Sequence, residues 1–214
     1  KKKYPQGGEK QLIDAVMKRQ VKSMGLPIDV GAVVQNVATS LAVYEAVQKN
    51  KPLIDRVLTV TGPDVENARN LRVRFGTPLN DIIAAAGGLP ENTGKVIAGG
   101  PMMGRAVSNL ESTTSKRTSG LLIMPDRLSK RASIENCIRC GKCVDACPMA
   151  LEPYLLYSLT EHGMWDRLEQ EQIMDCIECG CCLFSCPSHR PLLDYVRFGK
   201  ATVGGIIRNR NAKK

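Results

Sequence analysis

Eight of the nine cysteines fall into two runs of identical spacing, Cys137-x2-Cys140-x2-Cys143-x3-Cys147-Pro148 and Cys176-x2-Cys179-x2-Cys182-x3-Cys186-Pro187. This is the C-x2-C-x2-C-x3-C-P spacing by which bacterial iron–sulfur proteins hold [4Fe–4S] cubanes. Two residues between cysteines let a short loop wrap one cubane, offering three thiolates to three irons while backbone N–H groups point at the sulfurs. The fourth cysteine starts the chain away, and in two-cluster proteins it ligates the other cluster. The expected ligand sets are therefore Cys137, Cys140, Cys143 and Cys186 for one cluster, and Cys176, Cys179, Cys182 and Cys147 for the other. A pair of zinc sites is the alternative, but zinc needs no third cysteine at the same interval and no following proline.

Exchange of the fourth ligand ties two clusters closely together, as an electron relay requires. Ligation by thiolates alone favours the lower part of the wide cluster potential range. Gly141 and Gly180 are expected where a side chain would crowd a cluster. The 28 residues between Cys147 and Cys176 hold two helical stretches, near Pro153 to His162 and Asp166 to Ile173, longer than a compact ferredoxin's spacer. That predicts an α-helical two-cluster domain. Cys181, between two ligands, reads as a spare packed thiol, and His162 and His189 as surface or capping residues. Met102-Met103 reads as packing.

Clustered cysteines argue against a disulfide framework and for a reducing compartment, with the cytoplasm as the expected location. The formal charge of +9 falls to roughly +5 once each cluster adds about −2. The basic residues gather only at the ends (Lys1 to Lys3; Arg208, Arg210, Lys213, Lys214), which reads as solvated termini. With aromatics at 4%, base stacking is a poor fit and no nucleic-acid partner is expected. No apolar run approaches a membrane span, and the Leu12-Ile13 to Val16-Met17 pattern is amphipathic, unlike a signal peptide. The opening Lys1-Lys2-Lys3 without Met suggests a piece of something longer.

Composition divides the chain into residues 1–52, 53–108, 109–132 and 133–214. The first holds a turn at Pro5-Gln6-Gly7-Gly8, a helix from Glu9 to about Lys22, a short buried strand from Asp29 to Val34, and a helix from Val37 to Lys49 capped by Thr39 or Ser40. The second carries a strand at Val57 to Thr61, a turn at Gly62-Pro63-Asp64, and a strand from Asn70 to Phe75. A helix follows with Thr77 as N-cap and Gly87-Gly88 at its end, then a strand at Val96 to Ala98. Hairpin, helix and strand make a small α+β unit of β-grasp type. Residues 109–132 read as a polar connector with one strand, Leu121 to Met124, and residues from Ser133 onward as mostly helical.

Three further stretches, taken with the cysteine runs, carry a resemblance. Lys3-Tyr4-Pro5-Gln6-Gly7-Gly8-Glu9-Lys10-Gln11-Leu12-Ile13, Gln35-Asn36-Val37-Ala38-Thr39 and Gly99-Gly100-Pro101-Met102-Met103-Gly104 resemble, in order, the C component of the Rnf complex. That family implies a peripheral subunit on the inner, cytoplasmic face of a membrane complex. The complex exchanges electrons between ferredoxin and NAD, coupled to Na⁺ or H⁺ movement, which implies other membrane redox subunits and ferredoxin as partners. It is also similar to the flavin- and NADH-binding subunit of respiratory complex I. The resemblance implies an α+β fold: a partial α/β flavin domain over 1–52, a β-grasp domain of the soluble-ligand-binding (SLBB) type over 53–108, and the di-cluster domain. It also implies FMN and NAD(H) contacts at Gly7, Gly8, Glu9 and Lys10, and at Gln35, Asn36 and Thr39. Glycines admit a cofactor to the backbone, a carboxylate accepts from a ribose, and an amide bonds a flavin edge. An ordinary turn plus a helix cap would explain the same residues.

The family's Gly-rich flavin-phosphate loop precedes the Lys-Tyr-Pro stretch, so these 214 residues alone are expected to retain FMN poorly and not to oxidise NADH. No residue is expected to be catalytic in itself. A relay module of another dehydrogenase or of a heterodisulfide reductase is the alternative, but it gives no reason for Gly7-Gly8-Glu9 upstream of a β-grasp unit.

Overall fold

The computed structural model describes residues 4–5 and 7–212. Gln6 of the opening turn and the basic residues at 1–3 and 213–214 lie outside the described residues. The elements run α1 (Glu9–Met17), α2 (Val37–Lys49), β1 (Asp55–Thr61), β2 (Arg69–Arg74), α3 (Leu79–Ala85), β3 (Thr93–Ala98), β4 (Arg105–Ala106), β5 (Gly120–Pro125), α4 (Asp126–Ser129), α5 (Lys142–Asp145), α6 (Pro153–Glu161), α7 (Trp165–Gln170), α8 (Cys181–Ser185) and α9 (Leu192–Ala212). Short 3-10 helices cover Pro27–Val30 and Ile173–Asp175. Contacts divide this mixed α/β chain into two compact units: Gln35–Arg131, and Lys1–Val34 together with Ala132–Lys214.

The Gln35–Arg131 unit is built on a five-stranded sheet in the order β2-β1-β5-β3-β4. Strand β1 alternates as a half-buried strand should: Leu58 and Val60 point into the core, and Val57, Thr59 and Thr61 point out. It pairs antiparallel with β2 (Leu58↔Leu71) and parallel with β5 (Val60↔Leu121), and β5 pairs antiparallel with β3 (Val96↔Ile123). Leu79, Ile82, Ile83 and Ala86 of the α3 region close the core against Leu58, Val60, Val96, Leu121 and Ile123. The strand expected inside a connector is thus the middle strand of the sheet.

Four local expectations need correction here. Thr77 does not cap α3; its Oγ1 donates to Arg74 O at 2.9 Å, and Pro78 occupies the N-cap position. The first helical N–H groups donate instead to the chain passing beside them, Leu79 N to Ser112 O and Asn80 N to Leu110 O. Tertiary carbonyls therefore satisfy donors that a side chain usually satisfies. At α2 the cap is Asn36, whose Oδ1 accepts from Ala38 N at 3.0 Å, rather than Thr39 or Ser40. The strand expected from Asp29 to Val34 does not form, and residues 32–34 are irregular. Asp29 and Val30 end a 3-10 turn begun at Pro27, closed by Gly31 N and Ala32 N donating to Ile28 O and Pro27 O and by Asp29 Oδ2 accepting from Leu26 N at 2.8 Å. The first helix, expected to reach Lys22, stops at Met17, where Lys18 turns left-handed and donates to Asp14 O.

In the other unit, α6 packs on α9 over a core of Leu151, Leu156, Leu159, Leu168, Ile173, Val196 and Val203. Gly199 is the contact point. A Cβ there would collide with Thr160 Oγ1 and lie 2.7 Å from Leu168 Cδ2 and 3.0 Å from Ile173 Cδ1. The N-terminal segment belongs to this same unit. Ile13 is buried, Lys10 pairs with Asp175 at 3.5 Å, and the same carboxylate accepts from Ser23 Oγ and Met24 N.

Candidate metal centre

The two cysteine loops repeat in backbone conformation as well as in sequence. Arg139 and Glu178, at matched positions, are left-handed at φ 56° and 55°. Gly141 and Gly180 follow at 75° and 83°, as N-caps of α5 and α8, and Ala150 and His189, each three residues past the fourth cysteine, sit at 54° and 50°. Glycine adopts that conformation at less cost than a residue with a side chain. At Gly141 an added Cβ would meet no protein atom within 4 Å, so the crowding expected there is not a contact with the chain itself.

All nine cysteines are free of disulfides. A cavity of about 790 Å³ is lined by Cys137, Cys140 and Cys143 of the first run and by Cys186 of the second. A second, of about 20 Å³, is lined by Cys176, Cys179 and Cys182 of the second run and by Cys147 of the first, with Cys181 beside them. Each cavity thus draws three thiols from one loop and the fourth from the other. Among the described residues, no three Cys, His, Asp or Glu side chains gather closely enough to hold a single metal ion. Four thiols around a cavity suit the donor set of a cubane, which binds through thiolate alone.

The cavities differ in access. Cys137 and Cys140 are exposed, whereas Cys179 is buried. The N-terminal segment covers the second loop: Tyr4 Oη donates to Cys179 O at 2.9 Å, Cys181 Sγ donates to Tyr4 O, and Gln11 Nε2 donates to Met149 Sδ. Electrostatics repeat the crossing. Burial raises the Cys143 thiol and the Cys186 charge pushes the same way, against backbone N–H groups that pull it down. Burial pushes Cys182 up to about 12, and Cys176, Cys179 and Cys147 push the same way. Burial also lifts Cys181 to about 11, together with its hydrogen bond to Cys179. Metal binding displaces the proton of a ligating thiol, so thiols raised in this way would be deprotonated by coordination.

The residues implied for flavin and NAD fall in different units. Gly7 (φ 70°), Gly8, Glu9 and Lys10 lie at the start of α1. Gln35, Asn36 and Thr39 lie at the start of α2 in the Gln35–Arg131 unit, and all three are exposed. Two of the five side chains among these seven residues already have partners in the chain: Lys10 bonds Lys22 O and Asp175, and Asn36 caps α2. His162 Nδ1 meets Ser158 O at 2.8 Å at the end of α6, and His189 is exposed. Sequence reading missed Arg197 and Lys200, which meet Glu178 in the second loop. Their signal was a pair of cations three apart on one helix.

Three family descriptions match the chain: a Nuo51 FMN-binding domain over residues 1–45, an SLBB domain over 57–106 and a 4Fe-4S dicluster domain over 129–187. The C component of a proton-translocating ferredoxin:NAD(+) oxidoreductase complex from Clostridium ljungdahlii is 46% identical over 200 residues, 93% of this chain and 44% of that protein. Over nearly its whole length this chain is similar to the C components of ion-translocating oxidoreductase complexes. A Na(+)-translocating counterpart from Acetobacterium woodii is 44% identical over 94% of this chain and 45% of its own length. The C component of an ion-translocating oxidoreductase complex from Rhodobacter capsulatus is 40% identical over 99% of this chain and 40% of its own length. The chain therefore spans less than half the length of these curated relatives. Among the described residues, no helix is long and apolar enough to cross a membrane.

Proposed function

We propose that this chain is the electron-relay portion of the C component of a ferredoxin:NAD oxidoreductase that moves Na⁺ or H⁺. Cys137, Cys140, Cys143 and Cys186 hold one [4Fe–4S] cluster, and Cys147, Cys176, Cys179 and Cys182 hold a second. The observation that carries this reading is the pair of cavities, each lined by three thiols of one loop and one of the other. When bound, each cluster supplies a one-electron carrier. The chain's own part is to hold eight thiolates in two adjoining sets, shield the second set beneath Tyr4 and Gln11, and leave the first open to a partner.

The match of residues 1–45 to an FMN-binding domain supports a flavin and NAD(H) site upstream of the clusters. Gly7, Gly8, Glu9 and Lys10, with Gln35, Asn36 and Thr39, are its contacts in this chain. In this reading residues 1–52 come from the flavin domain, 53–108 form the β-grasp domain, whose sheet takes its middle strand, β5, from the 109–132 segment, and 133–214 form the cluster domain. The relatives' names support other complex subunits and ferredoxin as partners, and a peripheral position on the inner face of the membrane goes with that reading. Anaerobic iron and sulfide analysis with EPR of the reduced protein tests the relay. About eight irons per chain and a spectrum of two interacting centres are expected. Colourless protein loaded with zinc would refute it.

A further inference from the structure

The two loops present opposite charges at one matched position. Arg139 follows Cys137-Ile138 in the first loop, and Glu178 follows Cys176-Ile177 in the second. Both residues share a left-handed backbone, yet only the second is gripped by a helix. Arg197 Nε donates to Glu178 Oε2 at 3.1 Å, and Lys200 Nζ lies 3.6 Å from Glu178 Oε1. Three residues apart, the two cations sit on one face of α9. The three side chains retain between 23% and 30% of their exposure, so water screens the group only in part.

This group reaches the sulfur site by two routes. Glu178 N donates to Cys176 Sγ at 3.4 Å, and Lys200 Nζ donates to Cys176 O. A cation this near favours an added electron, and an anion opposes it. Hydrogen bonds to a ligating sulfur and net charge both set the potential of a cluster.

We infer that Arg197, Glu178 and Lys200 form a clamp that sets the reduction potential of the cluster at Cys147, Cys176, Cys179 and Cys182 independently of its neighbour. The inference rests on the cluster reading above. Arg197 and Lys200 are positioning residues: they hold Glu178 so that its N–H meets Cys176 Sγ, and their charge outweighs its carboxylate.

The test is an EPR-monitored redox titration of the whole chain, loaded anaerobically with iron and sulfide, in three variants. Lys200→Met makes one cluster harder to reduce, lowering its reduced-to-oxidised ratio at fixed potential by roughly tenfold, which is 59 mV for a one-electron couple. Glu178→Gln moves the same cluster the opposite way by a similar factor, and Lys200→Arg leaves it in place. The other cluster holds its potential throughout and serves as the internal reference. Simple loosening of the loop would shift both charge-removing variants in one direction, and that result, or no shift in either, overturns the inference. Failure of the cluster reading looks different, because the unsubstituted chain would then bind no iron, and the inference would fall with it.

Discussion

Replacing a single fourth cysteine tests the crossing of the two loops. Cys186 is carried by the second run but lines the large cavity with Cys137, Cys140 and Cys143. Cys147 is carried by the first run but lines the small cavity with Cys176, Cys179 and Cys182. Each cavity should hold about four of about eight irons. Either Cys186→Ser or Cys147→Ser should therefore lower the iron content towards about half, and which half goes is decided by access. The large cavity opens between the exposed Cys137 and Cys140, while the small one lies under Tyr4 with Cys179 only 7% exposed. Bleaching of the unsubstituted protein by a membrane-impermeant chelator, followed by visible absorption, should run in two phases of similar amplitude. Cys186→Ser should abolish the fast phase and spare the slow one; Cys147→Ser should do the reverse. If Cys186→Ser removes the slow phase, each loop keeps all four of its own ligands and the crossed assignment is refuted.

Gly199→Ala should destabilise the helical unit by about 1–2 kcal/mol, because overpacking costs about 1–3 kcal/mol while the gain in helix propensity returns at most about 1; a thermal melt at 222 nm reads it. Asp175→Ala removes the acceptor for Ser23 and Met24 N–H and the partner of Lys10, with only 11% of its side chain exposed. Losing bonds to a charged group at roughly 1.5–3 kcal/mol should speed tryptic cleavage at Lys18, Arg19 and Lys22 by about tenfold or more, and an unchanged rate would show that the segment is held elsewhere. Leu58→Ala should cost about 2–5 kcal/mol in the sheet unit, seen as a lower urea midpoint, since Leu58 is only 2% exposed.

Ligand spacing is a local property, which is why the cysteines could be grouped from their intervals alone. Alternation in β1 is equally local, and Leu58 and Val60 face inward as their spacing requires. What escaped depends on partners distant in the chain. Leu121 to Met124 reads as a strand, but only its pairing with both Val60 and Val96–Ile97 makes it the middle of a sheet. Thr77 looks like a cap until Ser112 and Leu110 bring their carbonyls to the helix start. Glu178 gives no hint, from its own surroundings in sequence, of cations nineteen and twenty-two positions on. The residues near Gly7 and Asn36 show the opposite difficulty, since sequence suggests contacts that their present bonds to the chain neither require nor forbid.

Four residues that are not glycine, Arg139, Ala150, Glu178 and His189, hold the left-handed backbone that shapes the cysteine loops. Each such residue costs about 1 kcal/mol or more, so the bare loops begin several kcal/mol in deficit with nothing yet gripping their sulfurs. Loading and folding of this region should thus be one event, and a cell starved of iron would present these segments slack and open to proteases.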